Sequence, residues 1–142
     1  MVTKVLADVN ICLDLLLDRK PHINFSGRIF ELAEKSEITL YISGLSFDTL
    51  FYIMRPAIGG KKAIEKLQLL YSYTVVGEIN ASVIENALHS GWRDLEDALQ
   101  YYCALQSGCT YLVTRNLHDF ASDSDKLQVV KPEEFIKFYE KS

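Results

Sequence analysis

The sequence contains no apolar run approaching the ~20 residues that cross a bilayer. Nor does a long apolar core follow Met1-Val2-Thr3-Lys4, as a signal peptide would require. A cytoplasmic protein without a membrane segment is expected. Cysteine is scarce and odd in number, at three. Cys12, Cys103 and Cys109 lack metal-ligand spacing, and Cys12 and Cys103 fall in apolar helical patterns, so they are expected to be reduced core thiols. The three histidines are isolated from one another, so no Cys/His cluster points to zinc. Clustered positive charge is also missing. The net charge of −4 does not advertise phosphate binding, although acids gathered around a metal ion would inflate the acidic count. Gly59-Gly60-Lys61-Lys62 lacks phosphate-loop spacing and reads as a turn into a helix. There are no repeats, low-complexity tracts or dividing linkers.

What is present is the composition of a globular chain: 142 residues, 49% hydrophobic and 24% charged. One domain over 1–142 is expected. Strands are predicted at 2–7, 38–42, 73–76, 111–114 and 128–130. Helices are predicted at 8–17, 23–35, 46–54, 61–71, from Asn80 or Ser82 through Leu88, 94–106 and 132–139. Pro56 and Gly59-Gly60 are expected to end the third helix. In helix 94–106 the spacing of Leu95, Ala98, Leu99, Tyr102 and Gln106 marks the inward face, and Gly108 is placed to stop it. Alternating strands and helices imply a parallel sheet covered on both sides, with every strand exit on one edge.

Tyr111-Leu-Val-Thr-Arg-Asn-Leu-His-Asp-Phe120 organises the rest. A buried strand runs into a loop carrying Asn116 and Asp119. The start of the chain repeats this design, with Val5-Leu6-Ala7 followed by Asp8-Val9-Asn10. Ligands of parallel sheets collect outside the carboxyl ends of the strands. Asp94 and Asp97, three residues apart, open the clearest amphipathic helix. Oxygen-only ligands of this kind suit Mg²⁺ or Mn²⁺, and such a site can activate water and stabilise charge on a phosphodiester. Each acid also has a local explanation. Asp8 and Asp94 can cap helices. Asp97 can face a helix dipole, Asn116 can form an Asx-turn, and Asp119 can cap a turn or pair with Arg115. Those explanations do not predict that the acids converge on one sheet edge. Glu96 reads as solvated, and His118 lies beside the proposed site.

Five segments in order resemble the PIN-domain nucleases, the family that includes the VapC-type toxins. They are Val5-Leu6-Ala7-Asp8-Val9-Asn10, Tyr41-Ile42-Ser43, Asp94-Leu95-Glu96-Asp97-Ala98-Leu99, Val113-Thr114-Arg115-Asn116 with Asp119-Phe120, and Lys131-Pro132-Glu133-Glu134-Phe135. The resemblance covers nearly the whole chain. It implies a three-layer α/β/α sandwich around a short parallel sheet. It also implies an Mg²⁺- or Mn²⁺-dependent endoribonuclease, the toxin of a type II toxin–antitoxin pair, with an RNA substrate, an antitoxin partner and a homodimeric state. By this resemblance Asp8, Asp97 and Asp119 hold the metal and Asn116 joins them in catalysis. Asn10, Ser43, Asp94 and Thr114 support them, and Arg115, Lys61 and Lys62 are candidates to contact RNA phosphates. Two positions depart from the pattern. Thr49 stands where the family usually carries a glutamate, with Asp48 beside it, and Asn116 stands where many members carry aspartate. Neighbouring helical positions differ by roughly 100° in direction, so Asp48 is not a simple substitute for Thr49. These departures support an alternative, a catalytically degenerate PIN-fold module that binds RNA or protein. A phosphotransferase using Asp8 as nucleophile is a third reading, disfavoured because Asn10 stands where that chemistry would favour a second acid.

Overall fold

Val5, Leu6 and Ala7 are wholly buried. Side chains alternate sides along a strand, so a strand with no exposed face must lie at the centre of a sheet covered on both sides. A computed structural model, describing residues 2–120 and 125–141 without the side chain of Asp119, has this arrangement. The elements in chain order are β1 (Thr3–Ala7), α1 (Val9–Leu16), α2 (Ile23–Glu34), β2 (Ile38–Ser43), α3 (Gly44–Ile58), α4 (Gly60–Ser72), β3 (Val75–Gly77), α5 (Ala81–Leu88) and α6 (Leu95–Gln106). Then come β4 (Tyr111–Val113), a 3₁₀ turn (Leu117–Asp119), β5 (Gln128–Val130) and α7 (Pro132–Lys141). The five strands form one parallel sheet in the order β3-β2-β1-β4-β5.

The two faces of the sheet bury separate cores. Val5, Ala7 and Val113 point into a core shared with α1, α2, α3, α4 and α7. Leu6 and Leu112 point the other way, into a core shared with Val83 of α5 and Tyr101, Cys103 and Ala104 of α6. The result is the expected three-layer sandwich. Strand order reverses direction between β1 and β4. The chain first builds outward through β2 and β3, then crosses back to lay down β4 and β5. The crevice at the carboxyl ends of β1 and β4 is therefore the switch point at which such sheets bind ligands.

Most element boundaries agree with the sequence reading, and three points need correction. First, α3 continues through Pro56 to Ile58 instead of ending near Met54. Pro56 cannot donate to the carbonyl of Tyr52, one turn earlier, but Tyr52 is 80% exposed on the outer side of the helix, where that carbonyl can be solvated. The chain turns at Gly59 instead, where φ is +87°. Second, β3 begins at Val75 and not at Tyr73, and it ends on Gly77. A Cβ on Gly77 would lie 2.6 Å from Cys103 Sγ, so a glycine is needed for α6 to pack this close. Third, the inward face of α6 comprises Ala98, Gln100, Tyr101, Cys103 and Ala104, while Leu95 is 48% exposed and Gln106 is exposed. Helix α6 packs on α5, β2 and β4 together. It therefore buries a wide arc that a single apolar stripe does not describe. The thiols of Cys12, Cys103 and Cys109 are all buried, as expected of core cysteines.

Candidate active site at the sheet switch point

Asp8 follows β1 directly, and its amide still extends the sheet by donating to the Val113 carbonyl at 3.0 Å. The chain then turns into α1 with Asp8 as N-cap, Oδ1 accepting from the Val9 amide at 2.8 Å. Capping occupies one carboxylate oxygen. The other, Oδ2, accepts from Thr114 Oγ1 at 2.8 Å and Asn10 Nδ2 at 3.3 Å. Asp8 is 5% exposed. Burial raises its pKa above the ordinary 3.8, the bonds from Thr114 and Val9 lower it, and the Asp94 carboxylate raises it again. Both oxygens are held by neutral donors in a fixed orientation, which suits a ligand better than an in-line nucleophile.

Thr114 extends the end of β4, its amide donating to Val130 of β5 at 3.0 Å. Its hydroxyl joins the two strand exits, donating to Asp8 while accepting from the Asn116 amide at 3.1 Å. The Arg115 amide donates to Asn10 Oδ1 at 3.4 Å. Asp8, Asn10, Thr114 and the backbone of Asn116 thus form one hydrogen-bonded unit across a sequence separation of about a hundred residues. The Asn116 side chain is exposed at its edge. Trp92 packs against Tyr101 of α6 at 5.0 Å between ring centroids and against Phe120 at 5.6 Å, fastening the loop after β4 to α6.

From the opposite face, α6 delivers its first turn to this unit. Asp94 is its N-cap, with Oδ1 accepting from the Asp97 amide at 3.0 Å. Asp97 lies in the first turn and is half-buried. Glu96 is solvated, as its position on the helix predicted. Its surface is exposed, yet its carboxyl is pushed above the usual range by partial desolvation and by the charges of Asp8 and Asp94. One turn deeper, Gln100 is 1% exposed. Its Nε2 donates to Ser46 Oγ at 2.7 Å, and Ser46 and Ser43 hydroxyls lie 3.0 Å apart. Ser43 ends β2 and caps α3. Through Gln100, α6 is therefore tied to the start of α3 beneath the acids. Among the described residues, Gln100 Oε1 has no donor although it is buried. Sequence reasoning missed Gln100. The available signal was a polar residue three positions after Asp97, on a helix that must bury most of its girth.

The remaining sequence candidates fall elsewhere. Thr49 spends its hydroxyl on the Leu45 carbonyl at 3.4 Å, and Asp48 is exposed. Lys61 and Lys62 are exposed at the start of α4, beyond the 15 residues of α3. At 1.5 Å per residue that is roughly 20 Å from the strand exits. Arg115 is forked onto Asp14 of α1, with Nε to Oδ2 and Nη2 to Oδ1 each at 3.0 Å. Asp14 is wholly buried and also accepts from Ser26 Oγ at 2.8 Å. The metal role expected of Asp119 rests on a side chain outside the described residues. Among the described residues, no three Asp, Glu, His or Cys side chains form a complete metal cluster. The donors that do converge are all oxygens, and Asp8 faces further carboxylates on α6. That chemistry fits a hard divalent cation.

Comparison with known proteins agrees with the fold. The family model described as "PIN domain" matches residues 4–118. Ribonuclease VapC1 of Aquifex aeolicus is 23% identical over 139 residues, covering 94% of each chain. A toxin–antitoxin complex from Klebsiella pneumoniae superposes with a TM-score of 0.67 at 21% identity, over 90% of this chain and 97% of that one. Mycobacterium tuberculosis VapC20, described as a sarcin-ricin loop cleaving toxin, gives a TM-score of 0.62 at 14% identity, over 84% and 91% of the two chains.

Proposed function

This chain belongs to the PIN-domain family, and we propose that it is a metal-dependent endoribonuclease acting as the toxin of a type II toxin–antitoxin pair. The observation that carries this reading is the buried Asp8 carboxylate. It is fixed by Thr114 and Asn10 at the sheet switch point and opposed by acids from the first turn of α6. Asp8, Asp97 and Asp119 would hold Mg²⁺ or Mn²⁺, with Asn116 and Asp94 assisting. When bound, the ion supplies Lewis acidity towards a phosphodiester oxygen and lowers the pKa of water.

The protein's own contribution is preorganisation. Thr114 and Asn10 fix the Asp8 carboxylate, so it need not reorient as charge develops. Gln100, Ser46 and Ser43 set the distance between α6 and the β2 exit, and with it the position of the Asp97 backbone relative to Asp8. Gln100 Oε1 is a neutral oxygen buried one turn below Glu96, without a donor among the described residues. Lys61 and Lys62 would meet RNA only where the strand extends well beyond the cleavage point. The relatives named as toxins and as a toxin–antitoxin complex support an antitoxin partner and, with it, a homodimer in the cytoplasm. No helix among the described residues is long and apolar enough to cross a membrane.

The test is calorimetric titration with Mn²⁺ of wild type and Asp8→Asn, alongside RNA cleavage by wild type and Asp97→Asn. Binding that disappears in Asp8→Asn, and cleavage that disappears in Asp97→Asn, are the expected results. One observation favours a second reading, the degenerate binding module: the Thr49 hydroxyl is committed to a backbone carbonyl and cannot replace an acid. That reading requires RNA or protein binding with no acid-dependent Mn²⁺ affinity.

A further inference from the structure

A cavity of about 150 Å³ lies between the start of α2, the residue after Thr114 and the start of α7. Its walls include His22, Asn24, Phe25, Arg115, Pro132 and Glu133. We propose that it seats one unpaired guanine base of the RNA, next to the scissile phosphodiester, and so sets cleavage specificity. This rests on the ribonuclease reading and adds a substrate element to it.

Position is the first argument. Arg115 adjoins Thr114, whose hydroxyl holds Asp8, and the Arg115 amide bonds to Asn10. Asp14, which anchors the Arg115 guanidinium, lies six residues beyond Asp8. That is about 9 Å along α1, within reach of a neighbouring nucleotide.

The chemistry of the walls is the second argument. Arg115 has five N–H donors. Two nitrogens, Nε and Nη2, grip Asp14, which Ser26 holds in turn. The guanidinium is thereby fixed, 27% exposed, with donors remaining on its outer end. Phe25 is 46% exposed, an aromatic ring on a wall of the cavity and available for stacking. Sequence-specific readers of single-stranded RNA stack bases on such rings and bond to their edges. Glu133, exposed on the rim, argues against a phosphate occupant, because a carboxylate repels it and Asp14 already neutralises Arg115. Guanine meets both charged walls. Its O6 and N7 accept from a guanidinium, while N1–H and the N2 amine can donate to a carboxylate. Asn24 can serve either edge. Arg115 is thus assigned to a base and not to a phosphate.

The experiment is cleavage of a randomised single-stranded RNA pool with Mn²⁺ by wild type, Phe25→Ala and Glu133→Ala. The best substrate is then remade with inosine, which lacks the N2 amine, in place of the enriched guanine. Phe25 and Glu133 are exposed, so both variants should keep the wild-type melting temperature. The wild type is expected to enrich guanine at one fixed position. Phe25→Ala should lower kcat/KM about tenfold on guanine substrates. Inosine should slow the wild type but not Glu133→Ala. Wild-type cleavage without positional guanine, or variants that retain the wild-type profile, would overturn the seat and leave the ribonuclease reading intact. No cleavage, combined with no Mn²⁺ binding, would remove the ribonuclease reading and the seat with it.

Discussion

Asp8 and Asp14 are two buried carboxylates at either end of the same short helix, one its cap and the other in its last turns, and they are treated in opposite ways. Asp14 is wholly buried and receives a forked guanidinium from Arg115 together with the Ser26 hydroxyl. Asp8 is almost as buried, yet its direct donors are neutral and α6 adds the acids Asp94 and Glu96 to its surroundings. The first arrangement satisfies a buried charge internally. The second has no direct cationic partner: Arg115 acts on Asp8 only at a distance, while burial and Asp94 disfavour its charge and leave the site suited to a cation from outside the chain. Burial alone does not separate a structural carboxylate from a functional one. The charge of the partners does.

That contrast can be broken from either side. The largest effect is expected at the structural pair. Arg115→Ala strands the buried Asp14 carboxylate and should cost about 3–5 kcal/mol of stability in urea unfolding; a loss under about 1 kcal/mol would mean that Asp14 is not held as a charge. Next comes Asp8, the proposed metal ligand. Mn²⁺ at a hundred times its dissociation constant should stabilise the wild type by about 2.7 kcal/mol. Asp8→Asn should show none of that gain, and equal stabilisation of both would put the ion elsewhere.

A subtler contrast is in pH. The folded pKa of Asp8 is raised above 3.8, so the folded state binds the extra proton. Its contribution then falls as pH rises from about 4 through the raised value. In chelator, the stability of the wild type relative to Asp8→Asn should decline over that window, and a relative rise would reverse the sign assigned here. The smallest effect belongs to the distant lysines. Lys61→Ala with Lys62→Ala should weaken binding of long RNA and lower its salt slope by about 1 per lysine. Binding of a short oligonucleotide should be unchanged, and an equal loss there would bring the lysines to the cleavage site.

Much of this was legible in the chain. The unbroken apolar run at Val5-Leu6-Ala7 indicated a strand covered on both faces. Asp94 was readable as a cap, Gly108 as a stop with φ of +77°, and Pro132 as a helix start. The strand-exit rule placed Asp8 and Thr114 at one edge. What escaped is equally specific. Pro56 was read as a break because a proline's cost in a helix depends on the carbonyl it leaves without a donor, here that of Tyr52 on the exposed face. Glu96 is solvated as read, but its electrostatic link to Asp8, 88 positions away, left no local trace. Gln100 was invisible because it lies opposite the apolar stripe that periodicity picks out, on a face read as solvent but buried in the fold. The Asp14–Arg115 fork spans 101 residues.

The sequence by itself determined most elements, the parallel sheet and the edge where Asp8 and Thr114 meet. These follow from interactions within a turn or two of helix and from the alternation of a strand, which act over a few residues and leave a periodic trace. Only the tertiary structure decided which buried acid receives a guanidinium and which has only neutral donors, which charges Glu96 meets, and what Gln100 and Arg115 hold. Those outcomes depend on single contacts between segments 54 to 106 positions apart, and a contact made once leaves no period to read.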